Sequence, residues 1–418
     1  MSWVKECAMV LKWRGVLKVA NLSVSVVAGT LCFAPALAAS QGATLTFRAG
    51  CSGGERIVVG VVGDLLFHNS LQRQALASGG SYKQFWQSLS PALEGADLTY
   101  GNLEGAVAQG VGIGGRARRD PGRKWDGRVY GTPRGSLLFN YHPSLIGDLK
   151  ETGFDVVSTA NNHAADRGAL GFDRTIDALG SGGVAFSGTR RRDAAPGQRW
   201  AVKTKARGFT VAFIACTYST NGMPDREKQA LNCYSSRDEI FEEIRWNAQD
   251  PDVDAVILTP HWGVEKSSAP KQSDRAYARA AIAAGATAVV GTHPHVLQGW
   301  EKVATTDGRE GLVIYSTGNF ISNQVSDDQR TGIIGLIELT RMSSTKAEVS
   351  AVGFIPTWVT RGRHRVDEMK VGMRNGALRF SAPLRRLPTG NYVRAREYRN
   401  LVRSCPIAAR DSSLGVLK

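Results

Sequence analysis

The sequence predicts an α/β protein organised on a largely parallel sheet, and three observations carry that expectation. Short β-branched runs alternate with helical stretches from Arg56 onward, the order that builds right-handed strand–helix–strand crossovers. The first run, Ile57-Val58-Val59-Gly60-Val61-Val62, carries no polar side chain, as befits a strand buried on both faces, and it stops at Gly63-Asp64. Polar residues with ligand or acid–base chemistry then recur just past strand ends, the edge where open α/β sheets bind ligands.

The elements follow in order. After the strand at 57–62, residues 70–94 read as helix and 97–100 as the next strand. Residues 143–152 are helical, 155–158 a strand and 171–179 a helix. A strand over 209–215 precedes a helix over about 237–248. Residues 253–258 form a strand, 272–284 an Ala-rich helix and 288–290 another strand. The runs 312–315, 332–339 and 348–359 follow one another without intervening helices, which predicts antiparallel pairing in a second sheet packed on the first. The main domain is expected over 55–365. Residues 366–418 are basic and irregular, so they are expected to form a small C-terminal appendage.

Composition excludes several classes. The chain has 418 residues, 42% hydrophobic and 21% charged, enough for a packed core and unlike a disordered or multi-span membrane protein. Its 52 Lys and Arg exceed 37 Asp and Glu, a net +15 that favours an anionic partner. Lys5, Lys12, Arg14 and Lys18 precede an apolar run to about Phe33, and Ala36-Leu37-Ala38 follows. This order reads as a secretory signal over 1–38, giving a periplasmic or secreted protein; an uncleaved membrane anchor is the alternative. Cys51, Cys216, Cys233 and Cys405 remain beyond it. In an oxidising compartment these four permit three pairings, of which Cys216 with Cys233 closes the shortest loop and leaves Cys51 for Cys405.

The strand-end residues define a site. Asp64 with His68, Asn102 and Glu104, Asn161-Asn162-His163, His261 and His293-Pro294-His295 each lie just past a predicted strand. One histidine at a strand end is ordinary; five of the seven at one sheet edge point to a metal centre. Carboxylates, amides and imidazoles form a mixed oxygen and nitrogen donor set suited to Mn, Zn or Fe. The number of donors exceeds what one tetrahedral ion uses and fits two divalent ions about 3.5–4 Å apart. Such a centre is hydrolytic by default.

At this level the chain resembles a known family. Gly63-Asp64-Leu65-Leu66-Phe67-His68, Gly101-Asn102-Leu103-Glu104, Ala160-Asn161-Asn162-His163, His261-Trp262-Gly263-Val264-Glu265, Gly291-Thr292-His293-Pro294-His295-Val296 with Gln298, and Tyr315-Ser316-Thr317-Gly318-Asn319-Phe320 are similar to the CapA family. Those proteins are linked to poly-γ-glutamate capsule synthesis and form a branch of the calcineurin-like metallophosphoesterases. The resemblance runs in order from about Arg56 to Arg361. It implies a four-layer α/β/β/α sandwich with two mixed sheets. It further implies Asp64 and His295 on a first metal, Asn162, His261 and His293 on a second, Glu104 as the bridge, and His163 as general acid beside Asn161. Asn102, Glu265, Gln298 and Asn319 are its substrate-side polar residues. Two departures stand out. The superfamily opens with Asp-x-His, whereas His68 follows Asp64 by four residues, and Glu104 stands where an aspartate is usual.

An Arg- and Gly-rich insertion over 105–140 separates the second and third motifs. Arg116, Arg119 and Arg123 in it suit carboxylates and phosphates, because the guanidinium fork pairs bidentately with both; a solvated insertion without a role is the alternative. Gly110, Gly112 and Gly115 satisfy G-x-G-x-x-G but lack the flanking strand and helix that a nucleotide site needs. Nucleic acid is the weaker partner, since an export signal removes the target and no binding motif occurs. Two function classes result. One is a metal hydrolase in which hydroxide attacks a phosphoester or γ-glutamyl amide, acting on polyglutamate or a phosphorylated glycan. The other is a non-catalytic factor that binds such an anionic polymer or works with capsule export machinery at the membrane.

Overall fold

The computed structural model describes residues 43–401, apart from 134, 343–345 and 375–376. The architecture follows from the alternation of β1 (Glu55–Leu65). Its Val59 and Val61 face one apolar core, while Val58 and Val62 face another. From β1 the chain lays down β2 (Leu98–Leu103), β3 (Val156–Ser158) and β4 (Ala185–Ser187) as parallel neighbours. The intervening helices are α1 (Asn69–Ala77), α2 (Ser90–Gly95), α3 (Ser144–Glu151) and α4 (Gly168–Gly182). Leu71, Leu93, Leu145 and Leu179 from these helices cover the outer face of the sheet with Val62 and Leu65.

The chain then leaves this sheet and builds a second. β5 (Val202–Ala206) is antiparallel to β6 (Phe209–Thr217). β7 (Ala255–His261) and β8 (Ala288–Val290) continue parallel, β9 (Leu297–Ala304) is antiparallel, and β10 (Glu310–Thr317) lies between β8 and β9. Helices α5 (Arg237–Gln249) and α6 (Gln272–Ala284) cover its outer face through Ile240, Ile244, Ala281 and Ile282. Finally the chain returns to the first sheet. β11 (Asn319–Ile321) pairs with β1; a short α7 (Asp327–Arg330), β12 (Thr331–Arg341), β13 (Glu348–Val359) and β14 (Val366–Glu368) follow. The first sheet is thus ordered β14-β13-β12-β1-β2-β3-β4, and the second β5-β6-β7-β8-β10-β9. A hairpin of β15 (Gly372–Arg374) and β16 (Ala377–Arg379) stands apart from both.

Between the sheets lies a core of Val59, Val61, Tyr100, Val211, Phe213, Ile257, Val290 and Ile314. Phe213 stacks on Tyr100 with centroids 5.8 Å apart. Even-numbered Ala212 and Ile214 point instead to the outer core, as strand periodicity requires. The layer order is therefore α/β/β/α.

Three sequence expectations need correction. The runs at 332–339 and 348–359 do not make a second sheet; β12 and β13 extend the first sheet antiparallel to β1. The second sheet is made of β5 to β10, and the run at 312–315 belongs to it. The helix expected over 70–94 breaks after Ala77, because Gly79 and Gly80 take left-handed φ of 73° and 86°. The stretch after 365 is also more deeply packed than its irregular composition suggests. Leu384 and Leu387 lie in the inter-sheet core, and Val366, Val393 and Leu401 lie under the first helical layer.

Cys216 and Cys233 are disulfide-bonded. Cys405 and the leader expected at 1–38 lie outside the described residues. No helix among the described residues is long and apolar enough to cross a membrane.

Candidate metal centre

Parallel strands of both sheets end on one rim. β1 delivers Asp64, Glu104 follows β2, Asn161-Asn162-His163 follow β3, β7 ends at His261, and His293 and His295 follow β8. A Cβ on Gly63 would stand 1.8 Å from the Gly318 carbonyl oxygen, so only glycine lets β1 approach that closely. The pairing of β11 with β1 sets Asn319 opposite Asp64. His293 and His295 adopt φ of 97° and 59°, a region that costs a non-glycine residue about 1–3 kcal/mol. The strain is localised in the arch around Pro294 that turns both rings to the rim.

Asp64, Glu104 and His261 are wholly buried. Asp64 Oδ1 accepts from Asn102 Nδ2 at 2.8 Å, and its Oδ2 lies 3.0 Å from His295 Nδ1. Asn102 Nδ2 is also 3.1 Å from His261 Nδ1, so one amide joins the two sheets. On its other side His261 Nε2 is 3.0 Å from Asn162 Oδ1 and 3.8 Å from Glu104 Oε1. His295 Nε2 is likewise 3.8 Å from Glu104 Oε1. Both Asp64 oxygens are engaged, whereas neither oxygen of Glu104 has a hydrogen-bond partner among the described residues. A bare buried carboxylate is costly unless a cation meets it. Unused lone pairs between two imidazole nitrogens are what a divalent ion requires, so the residues fit the expected metal. Donor atoms of Asp64, Glu104 and His295 lie within 4.8 Å of one another, and so do those of Glu265, His293 and His295.

The electrostatics agree. Burial lifts the Glu104 carboxyl well above its ordinary range, against the pull of His295. Burial, and then His293 and His295, hold His261 well below an ordinary imidazole, and burial takes His293 down to about 3. Both rings are neutral at pH 7, the form that ligates metals. For His295 burial works downward, but the charge of Glu104 and the hydrogen bond to Asp64 raise it to about 9.

His163 is held by two neighbours. Its Nδ1 is 2.9 Å from Asp166 Oδ2, and its ring meets Phe139 edge to face at 4.7 Å. Asp166 Oδ2 also accepts from Phe139 N at 2.6 Å. With Nδ1 engaged, Nε2 is the free nitrogen. Asn161 spends its amide on main chain, donating to Leu103 O at 2.7 Å and accepting from His163 N at 3.1 Å. Asn319 Oδ1 sits 3.0 Å from His295 Nδ1 and orients that ring. Gln298 Nε2 donates to Ser267 O.

His68 joins neither donor group: its Nδ1 accepts from Asn323 N at 3.3 Å, and its ring packs against Phe139. Burial lowers it to about 4. Arg116, Arg119 and Arg123 are exposed, and Arg123 donates to Gly79 O. The insertion carrying them is anchored at its root. Asn140 donates to Ala108 O and Val129 O at 2.8 Å, and buried Arg167 donates to Leu138 O and Gly131 O.

Residues 58–324 match the family described as bacterial capsule synthesis protein PGA_cap. The chain belongs to that family. Among relatives, this PGA_cap member is 27% identical to the capsule biosynthesis protein CapA of Bacillus anthracis, over 65% of this chain and 61% of that protein. It is 24% identical to the PGA biosynthesis protein CapA of Bacillus subtilis (strain 168), over 70% of each. The match thus spans about three-fifths of the first relative's length. Among solved structures, a putative 5'-nucleotidase from Staphylococcus aureus in complex with alpha-ketoglutarate aligns with a TM-score of 0.41 at 14% identity, covering 72% of this chain and 54% of that one.

Four supporting residues of this PGA_cap member were not among the sequence-derived site residues. Asp166 follows His163 by three residues in one turn and belongs to the same family segment, but it was given no role. Thr292 Oγ1, 3.0 Å from His261 Nδ1, adjoins a motif histidine. Tyr218, whose ring lies 4.4 Å from His293, and Asn221, which accepts from Asn162 Nδ2 at 3.3 Å, gave no signal. Both come from the loop that the Cys216–Cys233 disulfide closes.

Proposed function

We propose that the protein is an exported, divalent-metal-dependent hydrolase acting on an anionic capsule polymer, either polyglutamate or a phosphorylated glycan. The observation that carries this is Glu104: both its oxygens are buried and unpartnered, between the facing nitrogens of His261 and His295. Two divalent ions of the Mn, Zn or Fe kind would generate a nucleophile from water at neutral pH and withdraw charge from a phosphoryl or amide oxygen. Asp64, Glu104 and His295 would hold one ion; Asn162, His261 and His293 the other, with Glu104 shared. His163 gives its Nε2 proton to the leaving atom, while Asp166 fixes the ring through Nδ1. Exposed Arg116, Arg119 and Arg123 recruit the polymer, and capsule export machinery is the partner at the membrane. In this reading residues 1–38 address the chain to the periplasm or exterior, 55–365 are the catalytic domain, and 366–418 buttress it.

The His163–Asp166 pair favours catalysis over polymer binding alone, since a binding surface has no use for a held proton donor. The test is metal analysis together with a panel of phosphoesters and γ-glutamyl amides. Asp64→Ala and His293→Ala should each lower bound metal and turnover together. His163→Asn should keep the metal and lose about 10²–10⁴-fold in turnover. Undiminished capsule function in all three variants would overturn the enzyme reading in favour of a binding factor.

A further inference from the structure

The loop after β7 brings a carboxylate to the edge of the metal centre. Lys266 N donates to the Pro294 carbonyl oxygen at 2.8 Å, and Gln298 Nε2 donates to Ser267 O at 2.8 Å. These two bonds pin the segment around Glu265 against the arch that carries His293 and His295. The donor atoms of Glu265, His293 and His295 lie within 4.8 Å of one another. Glu265 is exposed, while His293 and His295 are 2% and 3% exposed, so the group opens to solvent on its carboxylate side only. His293 Nδ1 is sealed and has no partner. Because His295 belongs also to the Asp64–Glu104 group, Glu265 stands on the outer lip of the same centre and not at a separate site.

We propose that Glu265 is a metal ligand: with His293 it holds the outer of the two divalent ions. This rests on the two-ion reading above. His68 is turned to Asn323 and Phe139, outside both donor groups. Two dications against Asp64 and Glu104 alone leave two positive charges in a buried site, and Glu265 cancels one. A carboxylate suits the outer position because it binds through one oxygen or two and is the hardest donor available, favouring Mn over soft, thiolate-seeking ions. Its exposure makes the outer ion the exchangeable one.

The experiment titrates chelator-stripped protein with Mn²⁺ by calorimetry, with the Mn²⁺ electron paramagnetic resonance spectrum as a second readout. Wild type should take up two ions and give a coupled two-manganese spectrum. Glu265→Gln, isosteric and exposed, should keep one ion with unchanged affinity and weaken the second at least about tenfold, leaving a mononuclear spectrum. Glu265→Asp should fall between. Glu242→Gln on α5, with a side chain 68% exposed, removes the same charge outside both donor groups and should match wild type. Two ions bound with wild-type affinity by Glu265→Gln would overturn the assignment while leaving the two-ion reading intact. A wild-type protein that binds no Mn²⁺ would overturn both.

Discussion

Replacing Glu104 by glutamine should make the metal-free protein more stable and the metal-treated protein insensitive to metal. Glu104 is fully buried with two bare oxygens, and among the described residues its close cationic partner is His295, 3.8 Å away. At an effective dielectric of about 20 that attraction is roughly 4 kcal/mol. Burying the two ions costs several kcal/mol each, so desolvation wins. A stranded buried cation normally punishes removal of its partner, but His295 keeps Asp64 Oδ2 at 3.0 Å from its Nδ1 and is not stranded. Glu104→Gln should therefore stabilise the metal-free protein by about 1–3 kcal/mol. At about 2 °C per kcal/mol for a chain of this size, its Tm in chelator should rise by roughly 2–6 °C. Wild type should instead gain about 2.7 kcal/mol from Mn²⁺ at one hundred times its Kd, roughly 5 °C, and the variant almost nothing. Thermal denaturation with EDTA or Mn²⁺ reads all four states. A variant that melts below wild type in EDTA, or that keeps the Mn²⁺ shift, would refute the account of Glu104 as a carboxylate held in strain for a cation.

Three further outcomes are expected. Because Glu104 and Asp64 raise His295 to about 9 against burial, this ring is protonated in the metal-free fold at neutral pH. Its stabilising contribution is complete below about 6.5 and is lost as pH rises through 9, at most about 3 kcal/mol, while Mn²⁺ affinity rises over the same window as the proton to be displaced leaves. Urea melts of stripped protein at pH 6 and 9 check the first, calorimetry the second; opposite slopes would contradict the assignment. Cys216→Ala with Cys233→Ala opens a loop of separation 17 and should cost about 3 kcal/mol in urea unfolding, with weaker Mn²⁺ binding as Tyr218 and Asn221 lose their anchor. Phe213→Ala should cost about 3–5 kcal/mol, because its ring fills the space between the sheets against Tyr100; a loss under 1 kcal/mol would show that the sheets close over the gap.

Local pattern reached a long way. The helix at 272–284 and the strands at 288–290 and 348–359 match the observed α6, β8 and β13 residue for residue, since each is bounded by a clear change of periodicity. Asp64, Glu104, His261, His293 and His295 were legible because each sits at the end of a run of buried apolar residues or within a few residues of it, and a strand end fixes where the next side chains point. Their residue types then limited the chemistry to hard and borderline cations. What sequence could not give was partnership. Nothing in the runs at 332–339 and 348–359 says that they extend the sheet of β1 and not the second sheet; that choice is made by which apolar faces meet when three cores close. Tyr218 and Asn221 were invisible for the same reason, reaching the rim through a disulfide-closed loop with no periodic signal. Two facts about the candidate site residues also belong to tertiary structure alone. Asp64 is satisfied by Asn102 and His295 while Glu104 is left bare, and Glu265 is drawn to the site by Lys266 bonding to Pro294. Hydrogen-bond satisfaction depends on distances between segments that are remote along the chain, so only the folded molecule decides which of several identical functional groups is left for a ligand.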